Sequence, residues 1–347
     1  MNWTELDWPS LDKHRERFLE GKPSDGPYWE SEVDLASYNL TFGERIGWKW
    51  DAVLDELKMR GWKPPGGIVM DWGCGSGIAG RRVIERFGAG TFSTLQLWDH
   101  SSVAAEFARD LASKAFPEFE VAVAAPGFLE AGSPIGLLLL SHVLNELPQE
   151  ALDQISSLIA RSNAVVWVEP GSRDTSRKLG KIRDQLVEDF RVVAPCTHAN
   201  ACPILKEGRE RDWCHHFGFA PGGIFADANW AKFGQRAGID LRSLPYSFIA
   251  LDRNGPGSPA GLSRVIGRPE TFKPYVRILN CDAEGAADLE VMRRNAPGLY
   301  KELSKTKLPL VYRWEREGDR VVGGEAFRPG KPGGDGSAPD PATEVGP

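Results

Sequence analysis

The sequence predicts an α/β fold built on a parallel sheet with helices on both faces. Three observations point to it. From Gly66 onward, short apolar runs of strand length alternate with helical stretches. A glycine-rich turn, Gly73 to Gly77, joins the first run to the first helix. A carboxylate, Asp99, ends the second run 22 residues after Gly77. Strands that are mostly buried and separated by helices need crossover connections, which make the sheet parallel and cover it on both sides.

The elements follow in order. Residues 1–60 read as a helical segment, with Trp48, Leu54, Leu57 and Met59 as apolar positions before the break at Gly61 and Pro64-Pro65. Strands are expected at 67–71, 94–98, 119–124, 135–140 and 164–168. Helices are expected at 78–87, 102–114 and 149–161. The regularity then breaks: a basic helix over 174–190 leads into a cysteine-rich loop, and a strand returns at 246–251. The domains are therefore a helical segment (1–60), a sheet domain (61–255) with an insertion at 194–217, a small β-containing appendage (256–328) and a tail (329–347). The tail is Gly, Pro, Asp and Ser with almost nothing to bury, so disorder is expected there.

Composition narrows the function classes. The apolar fraction of 41% and charged fraction of 26% are those of a soluble globular protein. No run of about 18 apolar residues exists, so no membrane span is expected. The N-terminus lacks signal and transit patterns, which points to the cytoplasm. The net charge of −6 argues against the whole surface binding nucleic acid. Local basic stretches remain: 13 Lys/Arg against 10 Asp/Glu from Gly261 to Arg328, and Arg173, Arg177, Lys178, Lys181 and Arg183. Such patches can hold phosphate, although a solvated helix face is the commoner meaning of the latter.

Asp71-Trp-Gly-Cys-Gly-Ser-Gly77 closes a strand and opens a helix. Gly73, Gly75 and Gly77 let the backbone turn sharply and approach a ligand, and the helix start behind them offers unpaired N–H groups. Asp71, before the loop, would repel a pyrophosphate but suits the amino end of a methionine moiety. Asp99 stands where a carboxylate accepts both ribose hydroxyls. The pattern is that of class I S-adenosylmethionine (SAM) methyltransferases, a Rossmann-like sheet, and favours SAM over NAD. The fourth strand ends in Ser141-His-Val-Leu-Asn-Glu-Leu-Pro148. At that edge His142, Asn145 and Glu146 are candidates to meet a methyl acceptor, with capping of the next turn as the alternative for Asn145 and Glu146. The Asn/Asp-Pro-Pro-aromatic signature of amino-methylating enzymes is absent.

Five cysteines in a chain of this kind are not a disulfide framework. Cys196, Cys202 and Cys214 lie in C-x5-C-x11-C spacing, and Cys281 follows after 66 residues. Clustering suggests metal ligation, and thiolates select zinc or iron–sulfur clusters. His198, His215 and His216 are alternative nitrogen ligands. The absence of C-x2-C pairs favours a cluster over zinc; three unrelated buried cysteines are the plain alternative.

Leu140-Ser-His-Val-Leu-Asn-Glu-Leu147, Val168-Glu-Pro-Gly171, Ala194-Pro-Cys-Thr-His198, Cys202-Pro203 and Asp212-Trp-Cys-His215 together resemble the methyltransferase-like family associated with the mitochondrial small ribosomal subunit, and its bacterial relatives. The resemblance spans roughly residues 38 to 315, and its cysteine segments are more specific than the glycine loop. It implies a factor, expected to be monomeric, that engages the small subunit and its rRNA during assembly. It also implies a [4Fe-4S] cluster on Cys196, Cys202, Cys214 and Cys281 beside the SAM-type domain. The cluster would be structural, and nearby Lys206, Arg209, Arg211, Arg264 and Arg268 could contact phosphates. Two rivals stand beside this reading: a non-catalytic assembly factor, and a small-molecule methyltransferase with a zinc clip.

Overall fold

A sheet and a closed barrel share the strands of the chain. The computed structural model describes residues 2–20, 29, 31–130, 132–145, 147, 149–305 and 310–328. The N-terminal helices are α1 (Trp8–Glu20), α2 (Glu32–Tyr38) and α3 (Glu44–Met59), the last two joined by a π-turn at Asn39–Gly43. The alternating region follows with β1 (Ile68–Trp72), α4 (Ile78–Phe87), β2 (Thr94–Trp98), α5 (Ser102–Ala115) and β3 (Val121–Val123). It continues through α6 (Pro126–Glu130), β4 (Ile135–Ser141), α7 (Gln149–Ala160), β5 (Ser162–Pro170) and α8 (Arg173–Leu186). Then come β6 (Arg191–Ala194), β7 (His216–Gly218), α9 (Ala228–Ala237) and β8 (Leu244–Asp252). The last part holds β9 (Ser263–Thr271), β10 (Tyr275–Asp282), β11 (Gly285–Met292), α10 (Pro297–Leu303), β12 (Val311–Glu317) and β13 (Arg320–Ala326).

The sheet runs β3-β2-β1-β4-β5-β8-β6, with β7 also on β8. β1 to β5 pair in parallel as expected. β8 does not: it is antiparallel to β5, β6 and β7, so the sheet is mixed rather than parallel throughout. The basic helix also ends earlier than expected, and the chain turns at once into β6, a strand too short to announce itself. Alternation along β4 divides the core. Leu137 and Leu139 face the side packed by α3, α4 and α5, while Leu138 and Leu140 face the side packed by α7 and α8.

The expected β-containing appendage is a closed barrel in the order β10-β11-β13-β12-β9. β11 and β13 are parallel, the other pairs antiparallel, and α10 lies between the third and fourth strands. This is the connectivity of an OB barrel, with its own core around Val276, Ile278, Leu289 and Val291. The tail expected to be disordered, 329–347, lies outside the described residues.

Barrel and sheet domain are joined through a buried ion-pair group. Glu56 of α3, fully buried, accepts from Arg60 Nη2 (2.7 Å) and Nε (3.0 Å) and from Arg264 Nη1 of β9. Burial alone would raise the Glu56 carboxyl, but Arg264 and Arg60 beside it outweigh that and hold it below its ordinary range. Arg60 also donates to the carbonyls of Val193, Pro195 and Cys196 at 2.8–3.3 Å. One helix thus anchors the barrel and the start of the cysteine segment. Arg264, expected as a phosphate contact, is 4% exposed and committed to this junction.

Candidate functional site

The strand order reverses between β1 and β4, and in an open α/β sheet the ligand crevice opens beyond the carboxyl ends of the strands at that point. The glycine loop follows β1 there, and His142 follows β4. Gly73 and Gly77 have φ of +68° and +74°. A Cβ on Gly73 would lie 2.7 Å from Val143 Cγ1, and one on Gly77 2.8 Å from Ala108 Cβ, so the loop is pressed between the β4 edge and α5. Both glycines are required by conformation and by close approach.

Asp99 directly follows β2, beside the glycine loop, with its carboxylate already oriented. Its Oδ2 accepts from Gly75 N (2.8 Å) and its Oδ1 from Ser101 N (3.0 Å). The N-cap of α5 is Ser101, whose Oγ accepts from Ala104 N. A carboxylate offers about four acceptor directions, which leaves capacity for hydroxyl donors. Asp71 is deeper than its expected role suggests. It is fully buried, its Oδ2 accepts from Gly80 N (2.9 Å), and its Oδ1 has no partner among the described residues. Burial pushes its carboxyl up to about 7.

Around His142 the structure gathers groups that the sequence did not connect. Lys49 of α3 lies with Nζ 3.4 Å from His142 Nε2. Burial, with Arg45 adding repulsion, lowers the Lys49 ammonium to about 7. Burial and then the cations Lys49 and Arg45 hold the His142 ring well below its ordinary range, so it is neutral. Glu169, at the end of β5, accepts at Oε1 from Val143 N, Leu144 N and Trp167 Nε1 (3.0, 3.0 and 2.6 Å), while its buried Oε2 is unpartnered among the described residues. Burial raises it to about 7. His142 has φ +58°, and no other non-glycine residue among those described has a positive φ. A backbone held there costs of order 1–3 kcal/mol and is a mark of functional sites. Asn145 does not join this group: its Oδ1 accepts from Thr175 Oγ1 (2.9 Å), tying the loop to α8. Glu146 lies outside the described residues. Glu169 was visible in the Val168-Glu-Pro-Gly171 motif; nothing in the sequence relates position 49 to position 142.

Glu169 gives a pH prediction. Between 4.5, its ordinary value, and about 7 the unfolded chain has released a proton that the folded chain retains, so stability falls as pH rises through that window. Glu169→Gln should flatten that slope in denaturant titrations at pH 4.5, 6 and 7.5. An unchanged slope would mean that the carboxyl is ionised in the fold.

The cysteine segment converges from several directions. Cys196 follows β6, Cys202 precedes a short turn at Pro203–Leu205, Cys214 precedes β7, and Cys281 sits on β10. Burial raises the Cys214 thiol, and the proximity of Cys196, Cys202 and Cys281 raises it further; Cys281 is raised by burial and by Cys196 and Cys202. Cys202, Cys214 and Cys281 pack in one small apolar cluster with Ile204 and Ile266, and Cys196 lies near enough to raise the Cys214 and Cys281 thiols. Among the described residues no group of three His, Cys, Asp or Glu is arranged to hold a single metal ion. Arg264 Nη2 donates to His216 Nδ1 (2.9 Å), so the other ring nitrogen carries the proton and points at Cys214 Sγ, 3.6 Å away. His198 Nε2 lies 3.9 Å from Cys281 Sγ.

The basic stretch of α8 proves to be neither a solvated face nor a phosphate patch at its two central arginines. Arg177 Nη1 donates to the carbonyls of Ile204, Arg209 and Asp212, and Arg183, 1% exposed, donates to those of His198 and Asn200. Both are spent on shaping the cysteine segment. Arg209 donates to Asp212 and to the Ala286 carbonyl, and Arg268 stacks over Phe217 at 4.0 Å; Lys206 and Arg211 remain exposed.

Sheet order, glycine loop and oriented Asp99 together define a Rossmann-like protein of the methyltransferase type. The family model described as "Mitochondrial small ribosomal subunit Rsm22" matches residues 49–308, and the chain belongs to that family. No curated protein matches. Solved structures that resemble it include an rRNA methylase from Escherichia coli, 14% identical over 56% of this chain and 74% of that one (TM-score 0.35). A 16S rRNA methylase is 11% identical over 72% and 76% (TM-score 0.35). The TrmK protein of M. capricolum, in complex with S-adenosyl-homocysteine, is 8% identical over 58% and 68% (TM-score 0.33). Among the described residues no helix is long and apolar enough to cross a membrane.

Proposed function

We propose that the chain is a SAM-dependent methyltransferase-like factor that acts on or with the RNA of the small ribosomal subunit, and that its four converging cysteines hold a structural [4Fe-4S] cluster. The observation that carries the first part is Asp99, held by Gly75 N and Ser101 N at the mouth of the glycine loop, in a chain of a small-subunit family. Asp99 would take the ribose hydroxyls, the loop amides and the unpartnered Asp71 Oδ1 the polar groups of the methionine end. The cofactor would supply an electrophilic methyl group, whose bond to sulfur breaks as its bond to the acceptor forms, the sulfur leaving as a neutral thioether. This chain's part is to orient the reactants and to receive the acceptor's proton. Lys49, its ammonium lowered to about 7 by burial, would take it as the neutral amine, with the neutral His142 ring beside it facing the acceptor.

For the second part, the donor set fits. Cys202, Cys214 and Cys281, from separate segments, pack together with Cys196 nearby, and Arg183 and Arg264 lie close enough to favour an anionic centre. A cubane is wider than one ion and accommodates thiolates that do not close on a single point. The cluster would fasten the 194–217 segment to the barrel through Cys281.

One rival, a non-catalytic assembly factor, is favoured by Asn145, whose amide oxygen is spent on Thr175 rather than aimed at an acceptor. Sedimentation of tagged protein in cell extract should place it with small-subunit particles; migration with free protein alone would sink the ribosomal reading. Anaerobically purified protein should contain iron and acid-labile sulfide. One zinc and no sulfide would remove the cluster and leave the rival zinc clip. Cell fractionation decides between the cytoplasm expected from the N-terminus and the mitochondrion in the family's description.

A further inference from the structure

OB barrels that bind oligonucleotides use the outer face of their second and third strands and the loops beside it. Here those strands are β10 and β11, and the upper part of their outer face is already covered. Leu279, Cys281 and Ala286 pack against Cys202, Cys214 and Ile204 of the cysteine segment, and Arg209 donates to the Ala286 carbonyl. The lower part lines a cleft bearing Glu270, Asp288, Glu290 and Asp319 against Arg277 and Arg320, a wall that repels phosphate.

The hairpin between the first and second strands, β9 and β10, has the opposite character. Phe272 is 40% exposed and stacks on Tyr275, with ring centroids 4.8 Å apart and an interplanar angle of 25°. The turn is rigid: Phe272 N donates to Tyr275 O, Tyr300 Oη to Phe272 O, and Arg293 N to Pro274 O, at 2.8–2.9 Å. Arg277 lies over the Phe272 ring and Arg293 over that of Tyr300. Lys273, Arg293 and Arg294 are exposed and have no ion pair among the described residues, in a chain whose net charge is −6. An exposed phenylalanine held against a half-buried tyrosine and bordered by unpaired cations is what unstacked bases and their phosphates require.

We propose that this hairpin is a single-stranded RNA site: unpaired bases stack on Phe272 and Tyr275, and Arg293 and Arg294 take the adjoining phosphates. The inference rests on the ribosomal reading for its choice of RNA, and it assigns the contact to the barrel rather than to the crevice that holds Asp99.

The test is fluorescence anisotropy of a labelled single-stranded oligoribonucleotide titrated with full-length protein. Phe272→Ala should bind roughly 5- to 150-fold more weakly, the range for loss of one base–aromatic stack. Phe272→Trp should bind as the wild type does. The double variant Arg293→Ala/Arg294→Ala should have a shallower salt dependence. Phe225→Ala, at an exposed phenylalanine remote in sequence, should be without effect. Equal binding by Phe272→Ala and wild type overturns the proposal, as does equal affinity for a duplex. If Phe272→Ala does not fold, the arginine pair decides: an unchanged salt slope is equally fatal. A wild-type protein that co-sediments with small subunits yet binds no single strand defeats this inference and leaves the ribosomal reading standing.

Discussion

Glu56→Ala should destabilise the protein by about 3–5 kcal/mol, the usual result of removing one partner from a buried ionic group. The carboxylate is fully buried, and its loss leaves Arg60 and Arg264, each with little contact with water, facing each other without a counter-charge. The damage should extend beyond the junction, because Arg60 also holds the backbone around Cys196. The midpoint of denaturant unfolding is the measurement. Glu44→Ala is the comparison, since Glu44 pairs with Arg82 where both side chains are partly exposed; such pairs are worth at most about 1 kcal/mol. Similar losses in the two variants would mean that water reaches Glu56.

Asp99→Ala should weaken SAM and S-adenosyl-homocysteine binding by about 100-fold or more, read by calorimetric titration. Hydrogen bonds to a charged group contribute about 1.5–3 kcal/mol each, and two ribose hydroxyls would lose theirs together. The substitution also frees Gly75 N, which Asp99 now holds, so the loop loses its preset shape. Asp99→Asn keeps one acceptor oxygen and should fall between the two. If Asp99→Ala binds the cofactor as the wild type does, the crevice takes some other ligand. If binding is lost while ribosome maturation in cells continues unharmed, the protein acts as a scaffold rather than a catalyst.

The glycine loop was legible because its constraints are local. Gly73 and Gly77 must adopt a backbone that other residues avoid, and they do so wherever a strand turns sharply into a helix. Asp99 was legible for a related reason, since one strand–helix–strand unit has a nearly fixed length. Spacing pointed to Cys196, Cys202 and Cys214 as a group, and the inclusion of Cys281 was implied by resemblance. The 66 residues before Cys281 carry no local signal of where they return.

What the sequence determined by itself was the alternation of strand and helix, the place of the glycine loop and that of Asp99 after the second strand, all set by periodicity and turn chemistry within about thirty residues. Only the tertiary structure decided the rest. It inserted β8 antiparallel between β5 and β6, closed the last five strands into a barrel, and brought Lys49 against His142. It also turned Arg177, Arg183 and Arg264 inward, where a solvated helix face or a phosphate contact had been expected. Each of these depends on partners far apart in the chain, and a charged side chain reads the same in sequence whether it meets water or a buried carbonyl.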